Sequence, residues 1–166
     1  MASLVEGDIH FAGNVTFGAG VTLPNGAVTA GKVAAGASIE STKIQQRNRA
    51  PWQQGDSAAN VVDGTQVVYI VTGASGTLRE FKAGCVTPCT TGASITVDLK
   101  KNGASVLSAV ITLDQTQTAR QLVGAAISTM AVAAGDVLEV VIDATPGAGT
   151  IGKGIFGYLT LDELAQ

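Results

Sequence analysis

What this sequence has little of narrows it first. Aromatic residues are 4% of its 166 residues, with a single tryptophan, Trp52. A chain so poor in rings builds its core from Ala, Val, Ile and Leu and has few large side chains with which to line a deep ligand pocket. There is one histidine, His10. It lies far in sequence from both cysteines, which removes the common nucleophile–base pairs built on imidazole and leaves a zinc site short of ligands. Two cysteines, Cys85 and Cys89, fall short of a disulfide framework. A small bridged loop across Pro88 and a pair of reduced thiols near a strand end both fit them. Charged residues are only 14% and the formal net charge is −3, so no nucleic-acid partner is expected. No apolar run approaches the roughly 18 residues that span a bilayer, so no membrane partner is expected either. Met1-Ala-Ser-Leu-Val-Glu6 has neither a basic start nor a long apolar stretch. That predicts no signal peptide and synthesis in a cytoplasm.

Catalytic chemistry is equally sparse. The carboxylates Asp63, Glu80, Asp98, Asp114, Asp136, Glu139, Asp143, Asp162 and Glu163 fall mostly on wet-face positions, whereas an acid–base pair needs burial to shift its pKa values. Gly149-Thr-Ile-Gly-Lys-Gly154 lacks the Gly-Lys-Ser/Thr ending of a phosphate loop and a helix to follow it, so it reads as a hairpin loop. Asp136 and Asp143 are not part of a dense oxygen-ligand loop of the kind calcium needs. The expectation is a protein that is not an enzyme and takes no cofactor and no metal.

What is present is β pattern, concentrated between Val67 and Leu161. In Ala93-Ser-Ile-Thr-Val-Asp-Leu-Lys-Lys-Asn-Gly-Ala104, Ile95, Val97 and Leu99 alternate with Thr96, Asp98 and Lys100. One face is therefore apolar and the other wet. Asn102-Gly103 then supplies the two left-handed positions of a two-residue hairpin. Gln66–Thr72 is nearly continuous in apolar residues, which predicts a central strand covered on both faces. Thr77–Val86 follows with Leu78 and Phe81 facing in and Arg79, Glu80 and Lys82 more exposed. Ser105–Leu113 reads as another strand, and Thr118–Ile127 as either a strand or a short helix. Leu138, Val140 and Ile142 share one face of Val137–Ala144, and Ile155, Gly157, Leu159 and Leu161 share one face of Gly154–Asp162. About seven or eight short strands separated by turns, with no clear helix, are the pattern of a β-sandwich.

Residues 1–44 differ. Ile9, Val15, Val21, Ala27, Val33 and Ile39 recur at a spacing of six, with Phe11, Phe17 and Leu23 two positions after the first three. That period is neither helical nor a sustained strand alternation. It resembles the short repeats of β-solenoids and of intertwined trimeric fibre shafts, in which each repeat adds one small strand. The alternative is a Gly/Ala arm that orders only on a partner surface. Residues 45–64 shift to Gln, Asn and Arg, contain Pro51 and read as a linker between this arm and a domain at 65–166. Within the linker Arg47, Arg49 and Trp52 form a small basic-aromatic cluster. It serves either as a partner anchor or, for Trp52, as a plug closing one end of the domain.

Two segments resemble a known group. Ala35-Gly-Ala-Ser-Ile-Glu-Ser-Thr-Lys-Ile44 is similar to linkers that precede fibre or decoration domains in bacteriophage structural proteins. Ala134-Gly-Asp-Val-Leu-Glu-Val-Val-Ile-Asp143, the Gly152-Lys-Gly154 loop, the last strand and the Asn102-Gly103 hairpin together resemble phage decoration and head-fibre domains of jelly-roll type over residues 66–162. The resemblance implies an all-β protein, an N-terminal extended β-repeat arm followed by a jelly-roll β-sandwich, with an immunoglobulin-like sandwich as the runner-up. It implies a viral structural protein: a capsid decoration (cement) protein or head fibre, homotrimeric, bound to the major capsid protein on the virion exterior. Ile9, Phe11, Val15, Phe17, Val21, Leu23, Arg47, Arg49 and Trp52 are the expected partner or trimer contacts. The alternative is a receptor- or glycan-binding jelly-roll module of a tail fibre, which calls for loop aromatics that this sequence has few of. A bacterial surface adhesin domain ranks third, since no signal peptide is read.

Overall fold

The computed structural model describes residues 45–164. The arm expected over residues 1–44, with its proposed contacts Ile9, Phe11, Val15, Phe17, Val21 and Leu23, lies outside the described residues. Among those described there is no helix. Ten strands run in chain order: β1 (Gln45–Gln53), β2 (Gly64–Ile70), β3 (Ser75–Thr87), β4 (Ser94–Lys101), β5 (Ala104–Ser105), β6 (Ile111–Leu113), β7 (Val123–Gly124), β8 (Ala131–Ala133), β9 (Val137–Thr145) and β10 (Lys153–Leu164). They form two five-stranded antiparallel sheets. One is ordered β1-β10-β3-β7 with β8 also on β3; the other is ordered β2-β9-β4-β5 with β6 also on β4. The chain crosses between sheets at six of its nine strand connections, and the buried side chains of both sheets make one core.

Alternation decides most of this. Ile95, Val97 and Leu99 of β4 face inward beside Ile142 and Val140 of β9, their cross-strand partners being Ala144, Ile142 and Val140. Leu78, Phe81, Leu138, Ile155, Leu159 and Leu161 complete the layer between the sheets, all essentially without solvent contact. Each such side chain contributes about 1.5–3 kcal/mol on burial. The expected turn is present: Asn102 (φ 51°) and Gly103 (φ 83°) close the β4–β5 hairpin in the paired-positive geometry that matches strand twist. Asn102 also straps the turn to β9, accepting from the Val137 N–H at 2.9 Å and donating to Asp136 at 2.7 Å. Asp136 further accepts from the Ala133 N–H at 2.9 Å, so this carboxylate holds a turn together.

A spacing of three separates Leu78 from Phe81, yet both point inward. A β-bulge reconciles them. Glu80 pairs with Thr160 and Leu78 with Leu161, so Arg79 is the extra residue and the alternation resets across it.

Four expectations are corrected. Residues 45–53, read as linker, form β1, which pairs along its full length with β10, and residues 45–64 belong to the same compact unit as the sandwich. Pro51 is accommodated because, among the described residues, β1 is the outer strand of its sheet, where a missing N–H is tolerated. Gln66–Thr72, read as a central strand, is the outer strand β2 of the other sheet, with Val67 and Ile70 each more than half exposed. Its pairing with β9 slips at Val68, and such a bulge is a common feature of sheet edges. Ser105–Leu113 is not one strand but β5 and β6 separated by Val106–Val110, because Val106 and Leu107 turn into the core and the Val106 carbonyl takes the Ser128 N–H at 2.8 Å. Thr118–Ile127 forms neither a helix nor a full strand. Val123–Gly124 pairs beside Ala83 and Lys82 after Arg120 takes a left-handed turn (φ 62°), and Ile127 makes a single bridge to Leu107.

Candidate partner-binding face

β1, β10 and β3 lie side by side, so their outward residues share one face of the sheet. β1 contributes Arg47 and Arg49, both outward because they are two apart on one strand. β10 contributes Tyr158, Thr160 and Asp162, and β3 contributes Arg79, Glu80 and Lys82. The charges on this face are tied to one another. Asp162 Oδ1 accepts from Arg47 Nε at 2.7 Å, and Oδ2 accepts from Arg79 Nε at 2.7 Å and from Arg47 Nη2 at 3.2 Å. The bulge makes the second contact possible by turning Arg79 toward β10. Hydrogen bonding to Arg47, with Arg79 adding to it, holds the Asp162 carboxyl down at about 2. The same contact raises the Arg47 guanidinium above its ordinary value.

A second cluster lies higher on the face. Arg49 stacks over the Tyr158 ring, 4.5 Å from its centroid. The Tyr158 hydroxyl donates to Glu80 at 2.9 Å, and Lys82 pairs with the same carboxylate at 2.7 Å. Glu80 is held below the ordinary carboxylate range, first by Lys82 and then by Tyr158, and Lys82 is raised by Glu80 in turn. Between the clusters sits Thr160, whose cross-strand neighbours are Arg49 and Glu80. It is 6% exposed, and its hydroxyl has no hydrogen-bond partner among the described residues.

Trp52, expected beside the two arginines, points the other way. It packs over Gly157, its partner on β10, and stacks on Phe81 with ring centroids 5.9 Å apart and 16° between planes. It is buried and forms part of the core. That burial removes it from the surface anchor read for it with Arg47 and Arg49. Arg47 and Arg49 are brought together on the surface; Trp52 is not part of their cluster. Asp162, Arg79, Tyr158 and Thr160 were not predicted. Arg79 carried one usable signal, the three-residue gap between Leu78 and Phe81, which already requires an irregularity there.

One strand position further along β10, Glu163 turns inward at the seam between the sheets. It accepts from the Tyr69 hydroxyl of β2, from Asn48 of β1 at 2.6 Å, and from the Thr72 and Gly73 N–H groups at 3.2 Å each. Burial, and then Glu163, push the Tyr69 hydroxyl up to about 12. This carboxylate is spoken for by four donors and serves to tie β1, β2 and β10 together.

The remaining candidates offer less. Cys85 and Cys89 are free, buried thiols; Cys89 Sγ donates to the Leu113 carbonyl at 3.6 Å and accepts from the Gly152 N–H at 3.3 Å. Among the described residues no group of three or more His, Cys, Asp and Glu converges as a metal site, and none forms a helix long and apolar enough to cross a membrane. A cleft of 140 Å³ lies beside Gln53, Asp56, Ser57 and Phe156, too small for most drug-sized or saccharide ligands. No protein-family model matches the chain, and no curated protein matches its sequence.

Proposed function

We propose that this chain is a non-catalytic viral structural protein, a jelly-roll decoration protein that binds the major capsid protein on the outside of a phage head as a homotrimer. The observation that carries the reading is strand order. Taking β5 with β6 and β7 with β8 gives eight strand positions. One sheet then runs first, last, third, sixth, and the other runs second, seventh, fourth, fifth. That order is consistent with two interleaved Greek keys and supports the jelly-roll reading. It agrees with the resemblance of residues 66–162 to phage decoration domains, and it is not the strand order of an immunoglobulin-like sandwich. The exposed face bearing Arg47, Arg49 and Tyr158 supports a role in surface contact, since Arg and Tyr are enriched where proteins bind proteins.

In this reading the protein acts by burying area across adjacent shell subunits. A contact of about 1,200–2,000 Å² per site braces the lattice, and threefold symmetry lets one trimer tie three neighbours. The test is co-sedimentation of the purified full chain with heads assembled from a phage major capsid protein, together with its mass by light scattering. Saturable sedimentation and a mass of about 50 kDa, three times the 16.6 kDa chain, are expected. A chain that ignores heads but labels tail tips overturns the proposal in favour of the tail-fibre module.

A further inference from the structure

The charges of the described residues are unevenly divided between the two sides of the sandwich. Residues 45–164 hold eight Lys and Arg and ten Asp and Glu. Four of the eight cations, Arg47, Arg49, Arg79 and Lys82, stand on the outer face of β1, β10 and β3, with only two of the ten acids, Asp162 and Glu80. That face carries a net charge of +2 in a chain whose total is −3. The opposite face, on β4 and β9, presents Asp98, Glu139 and Asp143 against Lys100 alone. Both acids of the cationic face are already shared between two donors each. Their charge is used within the face, while the guanidinium edges stay open: the Arg47 side chain is 68% exposed and that of Arg79 46%.

We infer that this face docks an acidic surface of a partner protein, with Arg47, Arg49 and Arg79 as its contacts for the partner's carboxylates. Three features favour that chemistry. Arg47 and Arg49 are separated by one residue on an extended strand, so their guanidinium stems lie about 7 Å apart on the same side. Asp or Glu at alternate positions of an extended partner segment present carboxylates at the same interval. Arginine forks bind carboxylates in two-point fashion, and Arg49 is steadied for it by the Tyr158 ring beneath. The unpartnered Thr160 hydroxyl supplies a further donor at the centre of the patch once the side chains above it move.

The inference rests on the partner-binding reading above and names the chemistry of the partner. It is tested with a fluorescein-labelled polyglutamate peptide titrated with the full chain, anisotropy being read at low and high ionic strength. Heparin serves as a competing anionic glycan. Binding that weakens with salt is expected, because contacts between exposed charges are screened over about 10 Å at 0.1 M. Arg49→Glu, which leaves the Arg47–Asp162–Arg79 cluster intact, is expected to weaken binding at least about tenfold, and Arg47→Glu with Arg49→Glu to abolish it. Lys100→Glu, the same charge change on the opposite face, is expected to leave binding within about twofold. Thermal melts confirm that each variant is folded. No binding to polyglutamate, equal losses from Arg49→Glu and Lys100→Glu, or stronger binding to heparin would each overturn the inference. Repeating the head sedimentation with Arg49→Glu separates the two claims. Wild-type affinity of that variant for heads overturns the inference and leaves the capsid reading standing. Polyglutamate binding without head binding does the reverse.

Discussion

Replacing Gly157 with alanine tests the central packing claim about β10. A Cβ at this position would press into the Lys82 carbonyl oxygen and lie 2.6 Å from Trp52 Cζ2 and 2.7 Å from Trp52 Cε2. None of these atoms yields easily. The carbonyl belongs to β3, paired with β10 on one side, and the indole is fixed against Phe81 and the β1 backbone on the other. Overpacking a core typically costs 1–3 kcal/mol, and backbone involvement puts this case at about 3 kcal/mol. With a urea slope of about 2 kcal/mol per molar, the unfolding midpoint falls by about 1.5 M. The assay is urea unfolding followed by far-UV circular dichroism, with the emission of Trp52, the sole tryptophan, as a second probe. In a Trp52→Leu background the ring contact is gone and the carbonyl contact remains. The same glycine substitution should therefore cost about 1 kcal/mol less there, a coupling energy within the range seen for touching residues. A midpoint shift below about 0.3 M, or identical costs in the two backgrounds, would refute the account of Trp52 as a core residue packed on Gly157.

Three further outcomes are expected. Asp162 has a folded pKa of about 2 against an ordinary 3.8, so between those values the unfolded chain binds the proton more readily. Its contribution to stability is complete above about pH 4 and disappears as the pH falls toward 2; Asp162→Asn should flatten the pH dependence of the melting temperature in that window, and an unchanged profile would show that the arginine contacts do not form in solution. The Cys85 thiol is pushed up to about 12, first by burial, and Cys89 is also buried. An aromatic disulfide reagent at pH 8 should thus titrate no thiol in the native protein and two after unfolding in denaturant, and a fast native reaction would contradict the burial. Gly103→Ala meets no neighbouring atom but places a Cβ at φ 83°. It should lower stability by about 1–2 kcal/mol in urea unfolding, through backbone conformation alone.

The β-rich class, the hairpin at Asn102-Gly103 and the inward faces of β3, β4, β9 and β10 were legible in the sequence. Each rests on a local rule, alternation of apolar and polar side chains or the need for positive φ, that holds wherever the segment is placed. Arg47 and Arg49 were recognisable as surface cations for the same reason. Their partners were not. Asp162 lies 115 positions from Arg47 along the chain, and Arg79 reaches it only because a bulge shifts the β3–β10 register by one residue.

Position within the sheets was likewise invisible locally. The apolar run at β2 looked central, yet it is an outer strand among the described residues. The polar, proline-containing stretch at β1 looked like linker, yet it carries a full strand. A lone strand's composition reports how well its side chains fit a pleated surface, not how many neighbours it has. That number is decided by long-range pairing, which here sends the chain from one sheet to the other at six of nine connections. The same pairing turned Trp52 inward and gathered β1, β10 and β3 into one cationic face. Local sequence chemistry determined which residues are apolar, charged or able to turn; the tertiary arrangement alone decided which of them meet, because strand pairing joins residues that sequence distance keeps apart.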